Sequence, residues 1–361
     1  MDDPRVKELA ELLVGRSLDV QPGWQVMIQA TALARPLVEE LVRGIARRGA
    51  HPLVRLSFTD LERVPFETIW AEEAPEELLA EAAPLDVRTR NEIDARVILF
   101  SAENVYSGSD LPTERRLALR RAAKAAIDTA ADMEKPWVSC PFPTQGLAQE
   151  AGVSLRRYTD ILFAACLRDW DAEGERMKRN AERFDAAEEV RIVGPKTDLA
   201  LSVAGRQADV DDGHRNMPGG ELFLCPLEDS AAGVITFGEY SATYLGRRFE
   251  GISLRFEGGR VVDASASQGE DDLTAVLDTD DGARRLGELG IGCNQGIPRG
   301  VQHMWWDEKI DGTIHLALGQ SFTHLGGVNE SAIHWDIVKD LSRGSIELDG
   351  ETVQRNGEWL I

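Results

Sequence analysis

The sequence predicts an α/β protein with two domains. Residues 1–189 are expected to form an N-terminal α/β domain with a mostly parallel sheet, and residues 190–361 a β-rich α+β C-terminal domain. The chain has 361 residues, which fits two domains of roughly 150 residues each. Its first half alternates strand patterns with helices, and from Val190 onward short alternating strands are separated by glycine-containing and acidic turns.

The N-terminal elements follow from their apolar periodicity. Val6, Leu9, Leu12 and Leu13 recur at helical spacing, and Pro22-Gly23 marks a turn before the first strand. The predicted elements that follow are strand Gln25–Gln29, helix Pro36–Ala46, strand Pro52–Phe58, an acidic helix-rich stretch from Thr59 to Asp94, strand Arg96–Ser101, helix Glu114–Glu134 and strand Trp137–Cys140. Neither GxGxxG nor GxxxxGK follows these strands, which argues against a nucleotide site.

The second domain is predicted to consist mainly of hairpins. Phe256-Glu-Gly258-Gly259-Arg-Val has the pattern of two strands joined by a Gly-Gly turn. One helix is predicted from about Asp271 to Leu289, broken near Asp280-Asp281-Gly282, with Glu288 late in its second part. Glu270, Asp271 and Asp272 are expected to cap the start of this helix.

Composition and charge exclude several classes of protein. Asp and Glu number 62 against 40 Lys and Arg, giving a net charge of -22, which disfavours nucleic acid and anionic membranes as partners. Four scattered cysteines without a CxxC pair indicate buried, reduced thiols. The N-terminus lacks a signal-peptide pattern, and no window approaches 18 uncharged apolar residues, so we expect a soluble cytoplasmic protein.

Two histidine motifs are candidates for a metal site. His334 and Asp336 are two residues apart, so in a strand they point to the same face and can meet one ion. Such a short pattern alone more often marks two unrelated polar residues on an exposed strand. His315 in Thr313–Gly319 points away from the apolar face, although a core histidine bonded to a carbonyl is the alternative. The polar turn Asn329-Glu330-Ser331 would bring the two histidines together.

Two glutamates lie beside glycines. Glu221 follows Met217-Pro218-Gly219-Gly220 and opens a predicted strand, and Glu288 lies between Gly287 and Gly290. Taken alone, each has the character of a solvated surface carboxylate.

At these residues the chain resembles the aminopeptidase T family of thermophilic-type metalloaminopeptidases, over nearly its whole length. The motifs that carry the resemblance are Asn216-Met-Pro-Gly-Gly-Glu221, Thr279-Asp-Asp-Gly-Ala-Arg-Arg-Leu-Gly-Glu288, His315-Leu-Ala-Leu-Gly319 and Asn329-Glu-Ser-Ala-Ile-His-Trp-Asp336. The resemblance implies a two-metal site for Zn, Co or Mn, a peptide substrate with a free N-terminus and a homodimer. The ligands it implies are Glu221, Glu288, His315, His334 and Asp336, and we assign Glu288 as the catalytic bridging carboxylate.

The chain departs from the family at one catalytic position. Seven residues after the first histidine, where the family has a tyrosine, this chain has Phe322, which cannot donate a hydrogen bond. Ser321, Thr323 or His324 are candidate replacements for the missing donor. The loop between His315 and His334 is also short for the family.

Three functions therefore stay open at this point. All five candidate ligands favour a two-metal aminopeptidase. His315, His334 and Asp336 alone would form the two-histidine, one-carboxylate triad of a mononuclear Fe(II) enzyme, as in the dihydroxypyridine ring-cleaving dioxygenases, but that site needs neither glutamate. Phe322 suggests a third possibility, a catalytically weak binding homologue.

Overall fold

The computed structural model describes residues 3–58, 68–79, 81–105, 135–244, 247–298 and 304–360, with scattered positions from 107 to 122. The chain divides into two compact units. The first unit comprises Met1–Leu167 with Gly213–Pro218, and the second comprises Arg168–Asp212 with Gly219–Ile361.

The first unit contains the predicted parallel sheet. Among the described residues, four parallel strands lie in the order β2-β1-β3-β4. They are Gln25–Thr31 (β1), His51–Ser57 (β2), Ala95–Phe100 (β3) and Trp137–Pro141 (β4). The helices described in this unit are Pro4–Leu12, Arg35–Arg47, Thr68–Glu73, Glu76–Leu79, Pro84–Glu92, Gln145–Glu150 and Leu155–Cys166. The alternation of strands and helices predicted for this half is confirmed.

Helix Arg35–Arg47 illustrates why these segments are helical. Pro36 lies in its first turn, where a missing N–H costs nothing, and its apolar positions recur at helical spacing. Four of these side chains are buried: Leu37, Val38, Leu41 and Ile45. The predicted helix Glu114–Glu134 falls almost entirely outside the described residues, as do residues 59–67 of the acidic stretch.

The second unit is built from antiparallel sheets. In its described part, an eight-stranded sheet has the order β13-β12-β9-β6-β5-β17-β18-β19, and a five-stranded sheet has the order β16-β15-β14-β8-β7. The strands are Glu189–Gly194 (β5), Thr197–Ser202 (β6), Asp209–Asp211 (β7), Glu221–Leu224 (β8), Ala232–Phe237 (β9), Ala242–Tyr244 (β10), Arg247–Phe249 (β11), Ile252–Glu257 (β12), Arg260–Ser265 (β13), Leu286–Gly292 (β14), Thr313–Gly319 (β15), His334–Asp340 (β16), Ser345–Leu348 (β17), Glu351–Arg355 (β18) and Glu358–Trp359 (β19). Helices Trp170–Asp185, Glu270–Leu277 and Met304–Asp307 accompany them.

The predicted Gly-Gly hairpin is present between β12 and β13. Gly258 and Gly259 both have positive φ, at 54° and 74°, which a type I′ turn requires and which glycine adopts without steric cost.

The two larger sheets of this unit share one hydrophobic core. Leu222, Leu289 and Leu316 of the five-stranded sheet belong to the same buried cluster as Ile192 and Leu254 of the eight-stranded sheet. The opposite face of the five-stranded sheet is therefore free to carry polar side chains.

The predicted domain boundary at 189/190 lies within the first two residues of β5, Glu189–Gly194, in the second unit. The unit itself begins earlier, at Arg168, and includes helix Trp170–Asp185. The physical reason is packing, since Met177 and Phe184 on this helix are part of the same buried cluster as the strands.

The helix predicted from Asp271 to Leu289 is wrong in its second half. The helix spans only Glu270–Leu277, and Glu288 lies on β14. Every residue of β14 is buried between β15 and β8, so strand pairing outweighs the local helical spacing. Glu270, Asp271 and Asp272 occupy the first helical turn as expected near the helix dipole, but the N-cap itself is Gly269.

All four cysteines are free and buried, as predicted. Within the described ranges, no helix combines the length and apolar character needed to cross a membrane.

Candidate metal centre

The five-stranded sheet brings all five predicted ligands onto one face. In its antiparallel register, Glu221 lies opposite Gly292, Glu288 opposite Ala317, His315 opposite Gly290, Asp336 opposite Ala317 and His334 opposite Gly319. Alternation along each strand sends the intervening apolar residues to the core face. The site therefore depends on strand register and not on a flexible loop.

The five side chains form a continuous series of contacts. Nε2 of His315 lies 3.6 Å from Oε2 of Glu221 and 3.4 Å from Oε1 of Glu288. Nε2 of His334 lies 3.3 Å from Oε2 of Glu288 and 3.7 Å from Oδ1 of Asp336. Glu288 is thus the central member, and its two oxygens face different histidines.

This arrangement defines two groups of donor atoms. We call the group formed by Glu221, His315 and Oε1 of Glu288 the Glu221 half-site, and the group formed by His334, Asp336 and Oε2 of Glu288 the Asp336 half-site. One ligand atom from each of Glu288, His334 and Asp336 lies within 4.8 Å of the others, a spacing that can hold an ion.

Backbone carbonyls set the orientation of both imidazoles. Nδ1 of His315 lies 3.2 Å from the carbonyl oxygen of Glu308, and Nδ1 of His334 lies 2.8 Å from that of Gln320. Because a carbonyl accepts only, Nδ1 carries the proton in each ring. The other nitrogen, Nε2, faces the carboxylates, and a cation bound there would replace the proton on Nε2, as in most metal-binding histidines.

Electrostatics in the cluster are strongly perturbed. Burial alone lowers the pKa of the two imidazoles, but the neighbouring carboxylates outweigh it and raise the pKa of His315 and of His334 to about 10. Burial raises the pKa of Glu288, but hydrogen bonds from both histidines outweigh this and lower it to about 2. Burial raises the pKa of Glu221 to about 8 against the lowering effect of Lys309. Cations facing this cluster would therefore be stabilised.

The donor set fits divalent ions. Oδ1 of Asp336 is buried and accepts no hydrogen bond from the described part of the chain, so it has an open coordination position. Three carboxylates and two neutral imidazoles are donors that suit zinc, cobalt or manganese.

Gly290 supports the site and was not identified from the sequence. A Cβ atom at this position would lie 2.0 Å from Cε1 and 2.1 Å from Nε2 of His315. The imidazole therefore rests in the space left by the missing side chain. The glycines on either side of Glu288 were visible in the sequence, but the need for a glycine at position 290 arises only because β15 places His315 opposite it.

The turn at Asp280, which precedes β14, is hydrogen-bonded to the turn at Ser331 and Ala332, which precedes β16. Oδ1 of Asp280 accepts hydrogen bonds from the backbone of Gly282 and the hydroxyl of Ser331, at 3.0 and 2.8 Å, and Oδ2 accepts one from the backbone of Ala332 at 2.7 Å. The sequence predicted only a helix break here. The observed hydrogen bonds explain why two distant motifs contribute to one site.

Phe322 lies beside the cluster. Its ring centroid is 5.3 Å from that of His334 and 5.7 Å from that of Phe223. Of the candidate replacement donors, Ser321 already donates its hydroxyl to the carbonyl of Asn329, whereas His324 packs against the Phe322 ring at 5.7 Å. The position at which the family has a tyrosine is therefore adjacent to His334, a candidate ligand.

A buried lysine is the second feature missed from the sequence. Lys309 is fully buried and its Nζ lies 2.7 Å from Oε1 of Glu221. It follows Asp307 and Glu308 in the sequence, and three consecutive charged residues give no indication that the lysine is buried.

Several curated proteins are similar to this chain over almost its whole length. Aminopeptidase 2 of Geobacillus stearothermophilus is 27% identical, covering 99% of this chain and 98% of the relative. Aminopeptidase T of Thermus thermophilus is 28% identical with the same coverage.

Among solved structures, wild-type AmpT from Thermus thermophilus superposes with a TM-score of 0.84 at 26% identity, covering 99% of both chains. The 2,5-dihydroxypyridine dioxygenase of Pseudomonas putida KT2440 has a TM-score of 0.64 at 14% identity, covering 100% of this chain and 98% of the other, which shows a shared fold. Residues 2–359 match the family described as thermophilic metalloprotease (M29). The chain belongs to this family of metallopeptidases.

Proposed function

We propose that this protein is an aminopeptidase that removes N-terminal residues from peptides with two divalent ions, each held in one half-site. Membership of the M29 family supports metal-dependent peptide hydrolysis. The two relatives reported above, each matched over 98% of its length, are named aminopeptidases. This supports a free N-terminus as the group of the substrate that the enzyme recognises.

The observation that carries the two-ion proposal is the position of Glu288. Its oxygens face opposite halves of the cluster, 3.4 Å from His315 on one side and 3.3 Å from His334 on the other. A carboxylate with this disposition can bridge two ions, which a neutral imidazole cannot do. Each half-site then has one imidazole, one terminal carboxylate and one oxygen of Glu288.

The residues of the chain have distinct roles in this proposal. When bound, two such ions act as Lewis acids that polarise the scissile carbonyl and lower the pKa of an attacking water. Glu221 and Asp336 complete the two half-sites, and the carbonyls of Glu308 and Gln320 keep both imidazoles in the binding tautomer. Phe322 contributes an apolar surface next to His334 and no hydrogen-bond donor.

A mononuclear dioxygenase is the weaker alternative. Such a site needs two histidines and one carboxylate, which leaves Glu221 and Glu288 without a role although both are buried in the cluster. Buried carboxylates need positive partners, and Lys309 supplies one for Glu221 only, so three carboxylates in one cluster favour a site with more positive charge than a single ion gives.

Metal analysis combined with a substrate pair tests the proposal. We expect two divalent ions per purified chain, and hydrolysis of leucine p-nitroanilide but not of its N-acetylated form. One iron per chain with turnover of a dihydroxypyridine would support the dioxygenase instead, and a chain that binds no metal would support the binding homologue. The homodimer and the cytoplasmic location stay predictions, to be checked by light scattering and by cell fractionation.

A further inference from the structure

Lys309 is a buried cation at the edge of the metal centre. Its side chain is 0% exposed, and Nζ lies 2.7 Å from Oε1 of Glu221, 2.6 Å from Oε1 of Glu308 and 3.8 Å from Oδ2 of Asp211. Burying an ammonium group is unfavourable unless it is paired and hydrogen-bonded. These three carboxylates satisfy that requirement and fix the position of the lysine.

The contact with Glu221 determines which of its oxygens is available. Lys309 binds Oε1, so Oε2 is the oxygen that faces Nε2 of His315, at 3.6 Å. A carboxylate held at one oxygen presents the other in a fixed direction, which lowers the entropy lost when an ion binds.

The same segment orients the second donor of this half-site. The carbonyl of Glu308, the residue before Lys309, is the partner of Nδ1 of His315. The segment is itself held in place, since the Lys309 N–H donates to the carbonyl of Trp306 and its carbonyl accepts from the N–H of Asn294. Glu308 and Lys309 together therefore brace both side chains that complete the Glu221 half-site.

We propose that Lys309 is a positioning residue that sets the affinity of the Glu221 half-site for its divalent cation, without contacting that cation or the substrate. This inference rests on the proposed two-ion function. It assigns no comparable role at the Asp336 half-site, because His334 is oriented by Gln320 and not by the Lys309 segment.

Charge and positioning predict opposite effects of removing this lysine. By charge alone, loss of an ammonium group near Glu221 should tighten cation binding. By positioning, loss of the brace should weaken it, because Oε1 of Glu221 loses its partner and the carboxylates of Asp211 and Glu308 then repel Glu221. The sign of the change therefore distinguishes the two effects.

The test is calorimetric titration of the metal-stripped full chain with Co²⁺. For the wild type we expect two ions per chain. For Lys309→Met we expect the dissociation constant of one ion to rise about 10- to 100-fold while that of the other stays within about twofold. The matched control is Lys339→Met, because Lys339 is also 0% exposed but contacts Thr236 and Glu239. Lys339 lies on the same face of β16 as the core residues Trp335 and Ile337, whereas His334 and Asp336 lie on the opposite face. The dissociation constants of both ions should therefore be unchanged in Lys339→Met.

A second variant covers the case in which Lys309→Met fails to fold. Lys309→Met/Asp211→Asn removes one charge of each sign and keeps the net charge of the cluster, while Glu221 still loses its brace. The same selective weakening is expected. Tighter binding, equal weakening of both ions or no change in a folded variant would overturn the role of Lys309 and leave the proposed function intact. A wild type that binds fewer than two ions would overturn both.

Discussion

Replacing Gly290 with alanine should displace the His315 imidazole and disable the metal centre. The new Cβ would lie 2.0 to 2.1 Å from two ring atoms, whereas ordinary contacts begin at 3.4 Å. The ring therefore has to move by about 1.4 Å, the difference between 3.4 Å and the shorter of these separations. The backbone offers no obstacle to alanine, since Gly290 is not among the glycines with positive φ.

This displacement has consequences for both activity and stability. Moving the ring disrupts the 3.2 Å contact between Nδ1 of His315 and the carbonyl oxygen of Glu308. It also changes the 3.4 Å distance between Nε2 of His315 and Oε1 of Glu288. A misplacement of this size in a site costs on the order of 100-fold in rate. Overpacking of a buried position also destabilises a protein by about 1–3 kcal/mol.

The assay separates loss of the site from loss of the fold. Turnover of leucine p-nitroanilide and metal content should both fall in Gly290→Ala, while far-ultraviolet circular dichroism stays native. Gly238→Ala is the control, because a Cβ there meets no atom within 4 Å and its φ is also unexceptional. Turnover within twofold of wild type and full metal content in Gly290→Ala would refute the reasoning.

Three further variants test individual side chains. Glu288→Gln should lower metal-dependent hydrolysis at least about 100-fold with the fold intact, whereas Glu270→Gln in an exposed helical turn should be nearly silent; retained activity with two bound ions would contradict a bridging role. Phe322→Tyr should raise turnover about tenfold or more, with a smaller change in KM, because the new hydroxyl lies near the cluster; an unchanged rate means that another donor acts there. Asp280→Asn should lower the free energy of unfolding by about 1–3 kcal/mol at pH 7, and the exposed Asp281→Asn by much less, as measured by urea titration. Burial raises the pKa of Asp280, but the hydrogen bonds that its carboxylate accepts outweigh this effect and lower the pKa. The stabilisation by Asp280 should therefore be present above about pH 4 and should disappear as the pH falls through the lowered pKa. A difference in unfolding free energy between Asp280→Asn and wild type that does not change with pH would exclude this cause.

Much of the architecture could be predicted because its signals are local. Strand β3 of the parallel sheet contains the continuous apolar run Val97-Ile-Leu-Phe100, and the hairpin at Gly258-Gly259 needs positive φ at both positions. His334 and Asp336 could be placed on one face because a strand alternates regardless of its neighbours.

Other features could not be predicted because they depend on distant residues. The apolar residues around Glu288 fit a helix as well as a strand, and only pairing with β8 and β15 decides between them. Position 290 requires glycine because of the His315 imidazole, which lies 25 residues further along the chain. Lys309 would have been assigned to the surface, since burial of a lysine requires carboxylates that the fold supplies from Glu221 and Asp211.

Fold and site are linked through the register of the five-stranded sheet. Strand alternation sends Leu289, Leu316 and Trp335 into the core. The same alternation sends the neighbouring ligands to the opposite face, namely Glu288, His315, His334 and Asp336. A slip of one residue would place a charged ligand in the core and a large apolar side chain in the site, so the register that is favourable for folding is the one that assembles the donors. The hydrophobic core therefore determines how the candidate ligands are arranged, and variants that loosen strand pairing should lose metal affinity before they lose secondary structure.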